Sequence, residues 1–190
     1  MFIDHSIVRD AENIIIRTVT EADKEEYISL QFDDNLLNSF AQAGEIVSVD
    51  VREIFWKERY ESDSILFSIV EKDTGCIAGF CEIDHISEDE PTIGITLLDK
   101  YRGRGYGYLA AKMMIEAGWE ILEHPYFVWE VHQDNEPSKR LVEKLGGKLI
   151  NRRCAIPEYM LKVLQEGGMD IQAKDFPESI ERYRLERPKQ

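Results

Sequence analysis

The chain is short of positive charge. Of its 190 residues, 23 are Lys or Arg against 37 Asp or Glu, a formal net charge of −14. A field of that sign repels nucleic acid and anionic membrane surfaces, so neither is expected as a partner, and cationic molecules are favoured. Long apolar runs are missing too. None approaches the roughly 20 residues that a membrane span needs. The opening stretch, MFIDHSIVRDAEN, carries acids early and has no apolar signal core, so a cytoplasmic location is expected. Cysteine is scarce: Cys76, Cys81 and Cys154 are an odd number with no CxxC spacing. That excludes a disulfide framework and a zinc site of the usual spacing, and no metal is expected. Internal repeats and low-complexity linkers are also lacking. What remains is 43% hydrophobic and 32% charged, the composition of a globular chain. The length suits a single domain over 1–190.

The pattern of elements is mixed. IIIRTV, Ile14 to Val19, is β-branched and reads as a strand. Thr20 is placed to cap a helix beginning EADKEEYISL, with acids in its first turn. Asp33 to Gly44 is expected to be helical. Asp50 to Tyr60 reads as an amphipathic helix, with Val51, Ile54, Phe55 and Trp56 on its apolar side. SILFSIVEK, a DTG turn and CIAGFCEID form a hairpin, and after ISEDEP comes another strand, TIGITLL. YLAAKMMIEAGW is a helix, YFVWEVH a strand, and NEPSKRLVEKLGG a helix. Asn135 caps that last helix, Pro137 lies in its first turn and Gly146-Gly147 stop it. The tail holds a short strand (Lys148 to Arg153), a helix (Pro157 to Glu166) and a final strand, IERYRLER. The order predicts an α/β (α+β) fold with a mixed central sheet: an antiparallel N-terminal meander and a parallel pair at the centre, joined by a right-handed crossover.

Between the strand ending at Leu98 and the next helix lies YRGRGYGYL, Tyr101 to Leu109. Glycines at 103, 105 and 107 alternate with Arg104 and Tyr106. A helix start offers unpaired backbone N–H groups and the positive end of a dipole, and glycines let an anion approach them. Arg102 and Arg104 add charge suited to phosphate oxygens. One candidate ligand is a dinucleotide. Gly105-Tyr-Gly107-Tyr-Leu-Ala110 matches G-x-G-x-x-A, and Glu130 stands about 20 residues on. Against it, Asp99 to Arg104 separate the motif from the strand, some 90 residues precede it, and too few strand–helix units follow.

The other candidate is acyl-CoA. Arg102-Gly-Arg-Gly105-Tyr-Gly107 resembles the signature of the GCN5-related N-acetyltransferase (GNAT) family. NEPSKRLVEKLGG is similar to the family's later motif, with Asn135, Ser138, Lys144 and Gly146 at matching places. The element order also matches along nearly the whole chain. The resemblance implies the GNAT fold and acetyl-CoA as cosubstrate. It implies that Arg102, Gly103, Arg104, Gly105, Tyr106 and Gly107 hold the CoA pyrophosphate. The backbone at Leu97 and Leu98 would pair with the pantetheine arm, and Asn135 and Ser138 would orient it. It also implies direct attack by a primary amine, small or at a protein N-terminus, with no metal.

Two departures bear on proton transfer. Many relatives carry a Glu on the strand before the loop, and the matching position here is Thr92. Glu82 on the neighbouring strand is the replacement candidate for the base, and a plain surface carboxylate is the competing reading. Asp84, Glu130 and His132 are further options, His132 because it ends a parallel strand. Many relatives also place a Tyr in the helix after Asn, where this chain has Val142. A thiolate, with a pKa of about 8.5, leaves without strong acid help. Ser138, Tyr126 or Tyr106 could otherwise supply the proton. The segment from Pro157 to Phe176 could shape the acceptor pocket, pack on the sheet or form a homodimer contact. A CoA-binding regulatory domain without turnover is the alternative from a different class.

Overall fold

A computed structural model describes residues 7–31, 53, 56, 57, 59, 60, 63–154, 165, 172 and 179–189. The chain falls into two compact units, Met1–His124 and Pro125–Gln190. In the first, five strands run in the order β1 (Val8–Asp10), β2 (Ile14–Thr18), β3 (Ser64–Glu71), β4 (Ile77–Asp84) and β5 (Thr92–Leu97), each antiparallel to its neighbour. β2 alternates as a half-covered strand should: Ile14, Ile16 and Thr18 are buried, while Ile15 and Arg17 are partly exposed. β3 is buried from Ile65 to Glu71, because both of its faces are covered.

Helix α1 (Lys24–Gln31) and the helical residue Trp56 cover one face of this sheet. Tyr27, Ile28 and Trp56 pack there with Val19, Leu66 and Phe80. Tyr27 meets Phe80 edge-on at 5.1 Å between ring centroids. Helix α2 (Tyr106–Ile121) packs against β1, β2, β4 and β5. Ala110, Ala111, Met113, Met114, Ile115, Ala117 and Gly118 are buried, and their small members let the helix axis lie close to the strands. α1 is entered through Thr20 and a single turn, Glu21–Asp23. The buried Asp23 carboxylate accepts from the Thr20 backbone N–H at 2.8 Å and takes both prongs of the Arg17 guanidinium at 2.6 and 2.7 Å.

In the second unit β6 (Tyr126–His132), β8 (Ile180–Glu186) and β7 (Lys148–Arg153) are antiparallel in that order, and helix α3 (Glu136–Lys144) packs on β6. Phe127, Trp129 and Val131 face Leu185, Tyr183 and Glu181 across the β6–β8 pairs, and all six are buried. The buried Glu181 is held by Arg152 at 2.8 Å and by the Tyr183 hydroxyl at 2.9 Å.

The mixed α/β class and the N-terminal antiparallel meander agree with the sequence, and so do the Thr20 cap and the strands at 148–153 and 180–186. β1 was not anticipated, since VRD is too short and polar to carry a strand pattern. Of the expected helix at 50–60, Glu53, Trp56, Lys57, Arg59 and Tyr60 are helical, and Val51, Ile54 and Phe55 lie outside the described residues. The helices expected at 33–44 and, except for the helical Gln165, at 157–166 also lie outside them.

Gly79 is fixed by packing. A Cβ there would fall 2.2 Å from the Thr96 carbonyl oxygen and 2.9 Å from the Leu97 Cα. Backbone cannot rotate away as a side chain does. Gly79→Ala should cost about 1–3 kcal/mol by forcing β4 and β5 apart. Urea denaturation measures it, and an unchanged midpoint would contradict this register.

Candidate active site

The glycine stretch forms the link from β5 into α2. After a single turn at Asp99–Tyr101, Gly103 and Gly105 take φ values of 75° and 82°, the left-handed region that glycine enters without strain. Nothing lies within 4 Å of a Cβ added at either position. These two glycines therefore serve backbone conformation, not room for a neighbour. Gly105 is the N-cap of α2, so the first N–H groups of a 16-residue helix open directly behind the loop.

The loop's two arginines part company. Arg102 is exposed; its Nε donates to the Leu97 carbonyl at 3.2 Å and its guanidinium lies 3.0 Å from Asp99. Arg104 donates to Glu71 Oε1 at 3.1 Å and lies over the Tyr101 ring, 5.4 Å from its centroid. The buried Tyr106 donates its hydroxyl to the same Glu71 oxygen at 2.8 Å. Thr74 fills the other oxygen at 2.8 Å. Hydrogen bonds from Tyr106 and Thr74, with the Arg104 charge, hold the Glu71 pKa below the ordinary carboxylate value. Of the backbone groups expected to pair with an arm of the ligand, the Leu98 N–H donates to the Ala78 carbonyl at 3.0 Å, and the Leu97 carbonyl accepts from Arg102.

On the opposite, α1-side face of the same sheet stands a charge cluster. Glu82 and Asp84 alternate with Ile83 on β4 and so share a face. The helical Arg59 makes an ion pair with Glu82 and another with Asp84 at 2.7 Å. Both carboxylates are under one-third exposed. Glu82 lies opposite Gly94 on β5, and its Oε1 is 3.1 Å from where a Cβ of residue 94 would be. The absent side chain lets the carboxylate lie over the β5 backbone. Burial raises the Glu82 pKa; Arg59 opposes the rise and Asp84 adds to it. Burial likewise pushes the Tyr27 phenol up to about 12. A pocket beside the cluster is lined by Thr18, Val19, Arg59, Tyr60 and Ser64 among others. Cys81, on the other face of β4, is buried and its thiol is pushed up by burial, so it is not an activated nucleophile.

In the second unit, Asn135 caps α3 by accepting from the Ser138 backbone N–H at 3.2 Å. His132 is exposed at the end of β6, with Asp134 3.6 Å from its Nδ1. Glu130 is taken by Arg182 at 3.0 Å and by Arg153 at 2.5 Å, so its charge is already answered. Val142 is fully buried. Among the described residues no group of three or more His, Cys, Asp or Glu is placed to hold a metal ion, and no helix is long and apolar enough to cross a membrane.

The loop, Glu82, Asp84, Glu130 and His132 stand out in the sequence, whereas Glu71 and Arg59 do not. Their partners stand 33 and 23 residues away in sequence, and no local spacing marks them.

The fold is similar to that of several acetyltransferases of known structure. A GCN5-related N-acetyltransferase from Brucella melitensis matches at 15% identity over 96% of this chain and 80% of its own, with a TM-score of 0.65. A GNAT-family acetyltransferase from Bacillus anthracis matches at 16% identity over 95% and 98%, with a TM-score of 0.67. A spermidine N-acetyltransferase from Vibrio cholerae, in complex with CoA and spermine, matches at 14% identity over 92% and 95%, with a TM-score of 0.66. No curated protein matches the sequence. The acetyltransferase (GNAT) domain model matches residues 13–148, and the chain belongs to that family.

Arg59 should decide the electrostatics of the carboxylate pair. In Arg59→Gln the pair loses its cation, and the Glu82 pKa, already raised by burial, rises further above its unfolded value. Raised carboxylates favour the fold at low pH and oppose it once pH passes the folded pKa. The variant's stability deficit should therefore be small near pH 4 and grow to about 2–3 kcal/mol at pH 8. Denaturant titrations across that range test it; a pH-independent deficit would contradict it.

Proposed function

We propose that the chain is an N-acetyltransferase that transfers the acetyl group of acetyl-CoA to a primary amine by direct attack, acting in the cytoplasm. The observation that carries this is the loop: two left-handed glycines deliver the N-terminus of α2, and the exposed Arg102 guanidinium stands beside it. That geometry suits a pyrophosphate. In the second unit, Asn135 and Ser138 are the proposed contacts to the CoA arm. Capping and ligand contact are compatible at Asn135, since its carboxamide keeps an N–H₂ free to donate.

An alkyl amine arrives protonated, with a pKa near 10.4, and must lose that proton before attack. Its nitrogen then forms a C–N bond to the thioester carbonyl carbon as the C–S bond breaks, and the departing thiolate takes up a proton. Glu82 is the proposed base, directly or through one water. Its raised pKa makes it a better proton acceptor than an exposed carboxylate, and the bare Gly94 opens the β5 backbone to it. His132 is the second candidate base, exposed and next to Asp134. Backbone N–H groups are the proposed stabilisers of the tetrahedral oxyanion. The acidic charge of the chain and the carboxylate-rich α1 face favour a cationic acceptor, a small polyamine or a basic peptide N-terminus.

A second reading, a CoA-binding regulatory domain, draws on Thr92 and Val142 at the places of the missing Glu and Tyr, and on the Arg59 grip on Glu82. The dinucleotide reading loses its ribose-binding acid, because Glu130 is engaged by two arginines.

Calorimetry should detect CoA binding and no NAD binding, and Gly105→Glu should abolish the CoA signal. NAD binding without CoA binding would overturn the assignment. In the pH–rate profile, the acidic limb should titrate above the ordinary carboxylate value of about 4.3. Glu82→Gln should remove that limb and lower kcat about 10²-fold. A profile identical to wild type would take Glu82 out of the mechanism.

A further inference from the structure

Arg104 lies between two glycines that both sit at positive φ, so its backbone is hinged on either side. Glycine loses more conformational freedom on ordering than any other residue, and a loop so built does not hold one shape unaided. Here it is held from one point. Glu71, at the end of β3 and only 8% exposed, receives the Arg104 guanidinium at 3.1 Å and the Tyr106 hydroxyl at 2.8 Å on one oxygen. Its other oxygen accepts from Thr74 at 2.8 Å. Glu71 is itself fixed, since its backbone N–H donates to Cys76 and its carbonyl accepts from Gly75, each at 2.9 Å. The Tyr101 and Tyr106 rings stack at 6.1 Å, and Arg104 lies over Tyr101. One carboxylate thus ties the residue between the glycines and the first residue of α2 to the same spot on the sheet.

We propose that Glu71 is the positioning residue of the CoA loop: it holds Arg104 and Tyr106 to β3, so that the loop is preorganised and Arg102, not Arg104, is the loop guanidinium that meets phosphate. The part concerning phosphate rests on the acetyl-CoA reading; the part concerning loop order does not. The charge balance supports the division of labour. Arg104 is neutralised by a buried carboxylate, whereas Arg102 shares its charge with an Asp99 side chain that is 88% exposed, and water screens that pair. Preorganisation raises affinity by lowering the ordering cost at binding.

The test uses the full chain as wild type, Glu71→Gln, Arg104→Gln, the double variant and Arg102→Gln. Without ligand, amide hydrogen exchange at residues 103–107 should quicken about three- to tenfold in Glu71→Gln and in Arg104→Gln, with no further gain in the double variant. With CoA as titrant, Arg104→Gln should weaken binding about three- to tenfold and keep the wild-type salt dependence. Arg102→Gln should weaken binding and flatten the salt dependence, because it removes a phosphate-facing charge. Glu71→Gln should steepen the salt dependence by releasing Arg104. Unchanged loop exchange in both single variants would overturn the positioning role. Arg104→Gln flattening the salt dependence as much as Arg102→Gln would overturn the division between the arginines. A wild type that binds no CoA would refute the proposed function, and the exchange measurement would still decide the role of Glu71. Should Glu71→Gln fail to fold, Arg104→Gln, whose side chain is half exposed, breaks the same contact from the loop side.

Discussion

The antiparallel register of β4 against β5 is the constraint on which the rest of the first unit depends. It sets Gly79 opposite Leu97 and Glu82 opposite Gly94. Both glycines are read by the partner strand: one has no room for a Cβ, and the other leaves a carboxylate lying over bare backbone. Side chains alternate with period 2, so a slip of one residue would turn Glu82 and Asp84 into the α2 side of the sheet and expose Cys81 and Ile83. Burying two acids on the α2 side without Arg59 would cost far more than the fold can spare. The register that fills the core is therefore the same one that presents the acids.

Charge is handled in the same way at each site. Among the described residues of the first unit, each buried acid has a partner brought from another element: Asp23 has Arg17 of β2, and Glu71 has Arg104 and Tyr106 from the loop and α2. The partly buried Glu82 and Asp84 share Arg59. Removing one member would strand the other in a poorly solvated place, so these pairs specify geometry more than they add stability. In the Glu82–Asp84–Arg59 group the count is uneven, two acids to one base. Under the proposed function, that excess of negative charge on the α1 face would favour a cationic amine.

Much of this was legible in the sequence because it is local. A glycine-rich stretch between a β-branched strand and an apolar helix needs no tertiary knowledge to read as a loop at a helix start. The Asn135 cap and the Gly146 stop of α3 are likewise spelled out by neighbouring residues. What the sequence concealed is non-local. Arg104 is a candidate phosphate ligand by position, and its contact with Glu71, more than thirty residues earlier, leaves no mark in local spacing. Glu82 read as either a base or a surface acid, and nothing in GFCEID announces that Arg59 would reach it or that Gly94 would lie beneath it. β1 escaped because three residues with one apolar side chain carry no period; pairing with β2 makes them a strand.

The function proposed for this acidic chain of the GNAT family is acetyl transfer to a cationic amine. The most direct measurement is mass spectrometry of a panel of polyamines and basic peptides after incubation with acetyl-CoA and the protein, with free CoA thiol counted in the same samples. At least one member of the panel should gain a single acetyl group on an amine nitrogen, with one CoA released per acetyl transferred. Tight CoA binding with no acetylated product from any amine would contradict it.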